Sequence, residues 1–160
     1  VNNSLTIPTN QRKWAKLLAV LACCLPLGLA TATQAQTNPN LERLFTAKEC
    51  QNCDLRGFDL SKYDLSDANL TGADLSGADL TGTILIGANL TRAKLLQTNL
   101  TSALLIGANL SGANFQFANL QNASLYGAKA KESVDFGGAN MQGATLPDGR
   151  TNPPAVEIKK

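Results

Sequence analysis

From Cys53 the chain repeats a short pattern of apolar and polar positions every five residues. It divides without a gap into fifteen blocks, CDLRG, FDLSK, YDLSD, ANLTG and so on to ASLYG, ending at Gly127. The third column of these blocks is Leu in fourteen and Phe115 in the remaining one; the first is Ala in ten, with Cys53, Phe58, Tyr63, Thr83 and Thr98 as exceptions. Asp or Asn fills the second column in eleven. After Ala128 the register slips by one residue within AKAKES, then resumes as VDFGG, ANMQG and ATLPD, with Phe136, Met141 and Leu146 in the third column.

A period of five fits neither a helix nor a strand. A helix would spread the leucines around its circumference, and its many Gly and Asn residues would each weaken it. A strand would send successive leucines to opposite faces. A chain that turns a corner once per block satisfies the pattern: columns one and three point inward and the other three face water. The Gly, Asn, Asp and Ser of the outer columns are the residues that tolerate turns.

These blocks resemble the pentapeptide-repeat family, whose pattern is A(D/N)LXX, from Cys53 to about Asp148. The resemblance implies an all-β fold, a right-handed quadrilateral β-helix in which four blocks make one coil. The recurrence of TILIGANLT from Thr83 as ALLIGANLS from Ala103, twenty residues on, supports that coil length. Stacked coils at the ~4.7–4.9 Å spacing of bonded strands give a solenoid roughly 20–25 Å tall. An open end needs cover, and Asn40–Thr46 reads as a short helical cap with Leu41, Leu44 and Phe45 on one face. Phe58 and Tyr63, bulky in a small-residue column, fit a widened first coil. The expected organisation is a signal peptide at 1–35, a linker and cap at 36–52, repeats at 53–148 and a disordered tail at 149–160.

The leader reading comes from Arg12, Lys13 and Lys16 ahead of an apolar stretch from Leu17 to Ala30, then small residues before a cut after Ala35. That is the pattern of a secretory signal peptide, and it is shorter than the ~20 residues of a spanning helix. An uncleaved anchor and lipidation at Cys23 or Cys24 are the alternatives; Leu21 stands against the second. Without an Arg pair a Sec-type route is expected. Export places the protein in the periplasm or, through the family's abundance in oxygenic photosynthetic bacteria, the thylakoid lumen.

Composition narrows the chemistry. Aromatics are 5% of the chain, so Leu and Ala build the core. The formal charge of +2 becomes 11 basic against 12 acidic residues once the three leader cations are removed, which gives no general attraction to nucleic acid or anionic membrane. Histidine is absent, and with it the commonest general base and metal ligand. No nucleophile lies beside a base and no glycine-rich phosphate loop opens a helix. No catalytic residue, cofactor, metal or small-molecule substrate is expected.

Cys50 and Cys53 are the only cysteines beyond the leader. In an oxidising compartment they read as a disulfide fastening the cap to the first coil, with two free thiols as the alternative. A thioredoxin-like role lacks its βαβ context, and zinc lacks further ligands. Asp54, Asp59, Asp64, Asp74 and Asp79 crowd the second column early and read as a solvated acidic band. The more informative departure is apolar. Ile84 and Ile86, then Leu104 and Ile106, then Ser124 and Tyr126 occupy outward columns on the side of Leu65, Leu85, Leu105 and Leu125, with Leu96 and Phe117 extending onto a nearby side. Twenty-residue spacing stacks them into a stripe, and a contiguous apolar patch marks an interface; scattered surface apolars are the plainer alternative. Ile84, Ile86, Leu104, Ile106 and Tyr126 are thus the expected interaction site, for a homodimer or an unidentified protein partner.

The function expected is a non-enzymatic exported scaffold for structure or protein–protein interaction. The alternative offered by the resemblance is a DNA-mimicking gyrase-binding protein. That role needs a strongly acidic rod, whereas residues 53–148 carry nine acids and six bases, and export would separate the chain from gyrase.

Overall fold

The computed structural model describes residues 38–152. The expected leader at 1–35 and the last residues of the expected tail, 153–160, lie outside the described residues. Helix α1 spans Pro39–Ala47, over the stretch where the sequence expects a cap. Asn38 accepts a hydrogen bond from the Asn40 N–H at 2.9 Å, Pro39 sits in the first turn, and Lys48 closes the helix with a left-handed backbone, φ 54°. Each is a usual start or stop signal. Leu44 is fully buried, Leu41 and Phe45 pack against the coil core, and the Phe45 and Tyr63 rings lie 4.5 Å apart.

Beyond α1 the chain winds in coils of four blocks. Parallel bridges join residues twenty apart, from Glu49–Asn69 to Asn109–Lys129, and twenty-one apart from Asn114–Asp135 onward. The extra residue is absorbed at the corner between Lys129 and Asp135. Each block thus lies on one of four walls, and each wall contributes one bridging residue per coil rather than an extended strand.

The block 78–82 shows where the backbone donors go. The Ala78 N–H bonds the Leu75 carbonyl across the corner at 3.0 Å. Asp79 donates to Phe58 in the coil before at 2.9 Å, while Leu80 and Gly82 donate to Asn99 and Thr101 in the coil after at 2.7 and 2.9 Å. The fifth donor, the Thr81 N–H, goes to the Asp79 side chain at 2.9 Å. Three of five donors therefore stitch coil to coil, which is why no coil is stable without its neighbours.

The interior is a column of leucines with alanines beside them, buried from Leu55 to Leu125. Thr83 and Thr98 take alanine positions because their hydroxyls reach the Leu60 and Leu75 carbonyls at 2.7 and 2.8 Å. Phe115, fully buried, stacks at 5.1 Å on the partly buried Phe136 of the last coil.

Two boundaries differ from the sequence reading. Coiling begins at Lys48, not Cys53: Cys50 donates to the Asn69 carbonyl at 2.8 Å, Asn52 turns the corner with φ 54°, and Glu49 bridges Asn69. Cys50 fills the inward position that leucine holds elsewhere, so a leucine-based register passes over this block. At the other end Gly149–Asn152 are not structureless. They fold back so that Leu146 donates to Arg150 at 2.7 Å, Asn152 to Ala144 at 2.8 Å, and Thr151 bridges Thr145 antiparallel.

A candidate interaction surface

Every corner places its fifth-column residue at positive φ, glycine or not, from Gly57 at 67° to Gly127 at 65°. The second-column Asp or Asn holds the turn by accepting the fourth-column N–H, as Asp59 does from Ser61 at 2.9 Å and Asn89 from Thr91 at 3.1 Å. Ser or Thr in column four adds its hydroxyl, as Thr91 does at 2.6 Å. The early aspartates are therefore turn acceptors as well as surface charge, a role that spacing alone did not disclose. Asn99 and Asn119 also donate across coils to the Thr81 and Thr101 hydroxyls at 2.8 and 2.9 Å.

Their electrostatics follow from these bonds. Arg56 donates to Asp54 at 2.6 and 2.8 Å and holds that carboxyl at about 2. The Ser66 side chain and N–H, with the Lys48 charge, lower Asp64. Burial opposes ionisation of Asp74, yet Ser76, Lys94 and Arg56 keep it below the usual range. The Arg150 N–H does the same for Asp148. These carboxylates are anions engaged in turns and ion pairs, unsuited to donating a proton at neutral pH.

The fourth wall breaks the rule. Its bridging residues run Asp64, Ile84, Leu104, Ser124, Thr145, so the second-column oxygen is replaced by hydrocarbon on two successive rungs. Ile84 and Leu104 have nothing to offer the Ile86 and Ile106 N–H groups, and each turn forgoes a bond worth roughly 0.5–1.5 kcal/mol. Column four is tied rung to rung: Asp67 donates to Ile86, Gly87 to Ile106, Gly107 to Tyr126 and Gly127 to Pro147, all at 2.9 Å. Ile86 is 39% and Tyr126 57% exposed, while Ile84, Leu104 and Ile106 are half-buried. The five residues the sequence singles out thus share one wall and its following corner.

Leu96 and Phe117 lie elsewhere, on the corner after the second wall, so they do not join the stripe. Phe117 is 64% exposed at φ 57°, a backbone region that disfavours a bulky side chain, and its ring covers Gly138, where a Cβ would come within 2.6 Å of it.

Cys50 and Cys53 face inward at the first corner with their sulfurs 2.04 Å apart, beneath the Asn40 carbonyl of α1. A shallow depression of about 400 Å³ beside the cap is lined by Asn38, Asn40, Asp54, Arg56 and Phe58, and its charges are already paired with each other. Among the described residues no cluster of His, Cys, Asp or Glu could hold a metal, and no helix is long and apolar enough to cross a membrane.

The sequence matches the family described as pentapeptide repeats, in eight copies over residues 49–85, 83–116 and 108–146. A pentapeptide repeat protein from the Arabidopsis thaliana thylakoid lumen is 33% identical, with a TM-score of 0.58 over 66% of this chain and 70% of that one. HetL, a pentapeptide repeat protein involved in heterocyst differentiation regulation from the cyanobacterium Nostoc sp. strain PCC 7120, is 38% identical over 65% of this chain and 51% of its own, with a TM-score of 0.33. The plasmid-mediated fluoroquinolone resistance protein QnrB1 is 16% identical over 60% of this chain and 56% of its own, at a TM-score of 0.31. No curated protein matches the chain.

Proposed function

The chain belongs to the pentapeptide-repeat family, and from that premise we propose that it is an exported, non-enzymatic scaffold whose right-handed quadrilateral coil offers its fourth wall to a protein surface. The observation that carries the reading is the replacement of turn-capping residues by Ile84 and Leu104, beneath which Ile86, Ile106 and Tyr126 continue the apolar surface. The fold itself has no use for hydrocarbon there: the Asp and Asn that hold this column in most blocks cap the same turns. Exposed apolar surface arranged in register is what a docking face requires.

Export to the periplasm or thylakoid lumen is supported by the leader pattern and by the likeness to a lumenal protein. In that compartment Cys50 and Cys53 form a disulfide that closes the first corner under the cap.

The test is isolation of the protein in complex from its native compartment, beside the variant carrying Ile86→Asp with Ile106→Asp. Light scattering should show the wild-type complex reduced to a single chain in the variant. The exported chain should begin at Gln36 and show no free thiol until reduced. An unchanged complex mass in the variant removes the docking reading.

A further inference from the structure

We infer that the occupant of the fourth wall is the fourth wall of a second copy; this rests on the docking reading and names its partner. Three features of the wall favour self-association over any other occupant.

The first is charge. About a two-fold axis along the coils each column-two side chain meets a column-four side chain of the other copy, so a self-docking face needs those two columns to match in kind. The rungs Ile84-Leu85-Ile86-Gly87, Leu104-Leu105-Ile106-Gly107 and Ser124-Leu125-Tyr126-Gly127 carry no charge and no Asn or Asp. The flanking rungs carry Asp64 and Asp67 at one end and Asp148, paired with Arg150, at the other. The first, second and third walls all have charge or amide groups on their corresponding central rungs, among them Arg92, Lys94 and Asn99.

The second is repeat. Bonds from coil to coil hold the rungs at the ~4.8 Å of paired strands. A strand laid along the axis presents same-face side chains only every ~6.7 Å, and a helix advances ~5.4 Å per turn. A second copy has the same rung spacing by construction and keeps step at every level.

The third is size. With the two-fold axis along the coils, column two of one copy meets column four of the other on each rung. Ile84 then faces Ile86, Leu104 faces Ile106, and Ser124, the smallest of its column, faces Tyr126, the largest of the other. Gly107 and Gly127 stand in the adjoining corner with open space where a Cβ would be, so the partner can approach closely. Three rungs make a small interface, below the ~800 Å² per partner of stable complexes, and the dimer is weak and concentration-dependent.

The experiment is sedimentation equilibrium of the purified protein from micromolar to millimolar concentration. Wild type should rise from the mass of one chain toward two. Leu104→Asn should weaken self-association about tenfold or more, equivalent to about 1.4 kcal/mol, while melting no lower than wild type. The new amide caps the Ile106 N–H as Asn does in neighbouring blocks, so a folding defect cannot explain the loss. Ile106→Asp, judged by circular dichroism for folding, is the second variant. Wild type at one-chain mass throughout overturns the inference. So does a dimer that survives both changes, since it would use another surface, such as the final coil where Phe136 and Met141 stay partly exposed. If the purified protein stays single yet Ile86→Asp with Ile106→Asp still dissolves the native complex, self-docking falls and the docking face stands; if neither measurement responds, both fall.

Discussion

A single side-chain oxygen decides whether a corner of this coil is fully bonded. Asn99 accepts from the Thr101 N–H at 3.2 Å and from its hydroxyl at 2.7 Å, and donates to the Thr81 hydroxyl at 2.8 Å. Asn99→Ala removes all three at a half-buried site and should cost about 1–2 kcal/mol in urea unfolding, the range of a lost cap. A loss indistinguishable from zero would mean that water replaces the amide, and the cost assigned to Ile84 and Leu104 would shrink with it. The Asp and Asn of the second column are visible in the sequence as turn-tolerant residues. That they accept the one donor left over by coil-to-coil bonding could be seen only once the other four donors were placed.

At the level of the element, α1 and the first coil form a cap and the thing it caps. Leu44 is fully buried on that contact, and Phe45 meets Tyr63. In a solenoid each coil leans on its neighbours, so damage at an end should stay near that end. Leu44→Asp should therefore strip hydrogen-exchange protection from the Leu55 and Leu60 amides while the Leu90 and Leu100 amides keep theirs. Equal loss at all four sites would show that the coils unfold as one unit. The amphipathic run Leu41, Leu44, Phe45 announces the helix, and Tyr63, bulky in a small-residue column, is the residue its Phe45 meets. The block 48–52 escapes notice because Cys50 stands where leucine is expected, and its sulfur lies beside that of Cys53.

Across the whole molecule the carboxylates set the response to acid. Asp54, Asp64, Asp74 and Asp148 all lie below the ordinary carboxylate range, Asp54 at about 2. A carboxyl that is more acidic in the folded chain stabilises it fully above its unfolded value near ~4, and that contribution is lost as pH falls through the folded value. With no histidine in the chain, nothing from that side chain titrates between pH ~5 and ~8. The melting temperature should be flat from about pH 8 to 5 and fall between about 4 and 2. A midpoint of decline near neutrality would contradict this assignment. Much of the drop should persist in moderate salt, because bonds to backbone N–H groups are screened less than exposed ion pairs.

The fivefold spacing of leucine and alanine determined by itself that the chain bends once per block and hides two columns of five, because no straight element can bring residues five apart to one side. The twenty-residue recurrence likewise placed Ile84, Leu104, Ile86, Ile106 and Tyr126 on one stripe. Counting blocks from Ile84 also sends Leu96 and Phe117 to a different corner, a step that extending the stripe to them passed over. The sequence could not tell, however, that the chain after Pro147 turns back upon Ala144 and Leu146. That return depends on which donors remain unbonded at the last coil. With no following coil to accept from them, Leu146 and Gly143 donate to Arg150 and Asn152 of the returning chain, a pairing that no local preference encodes.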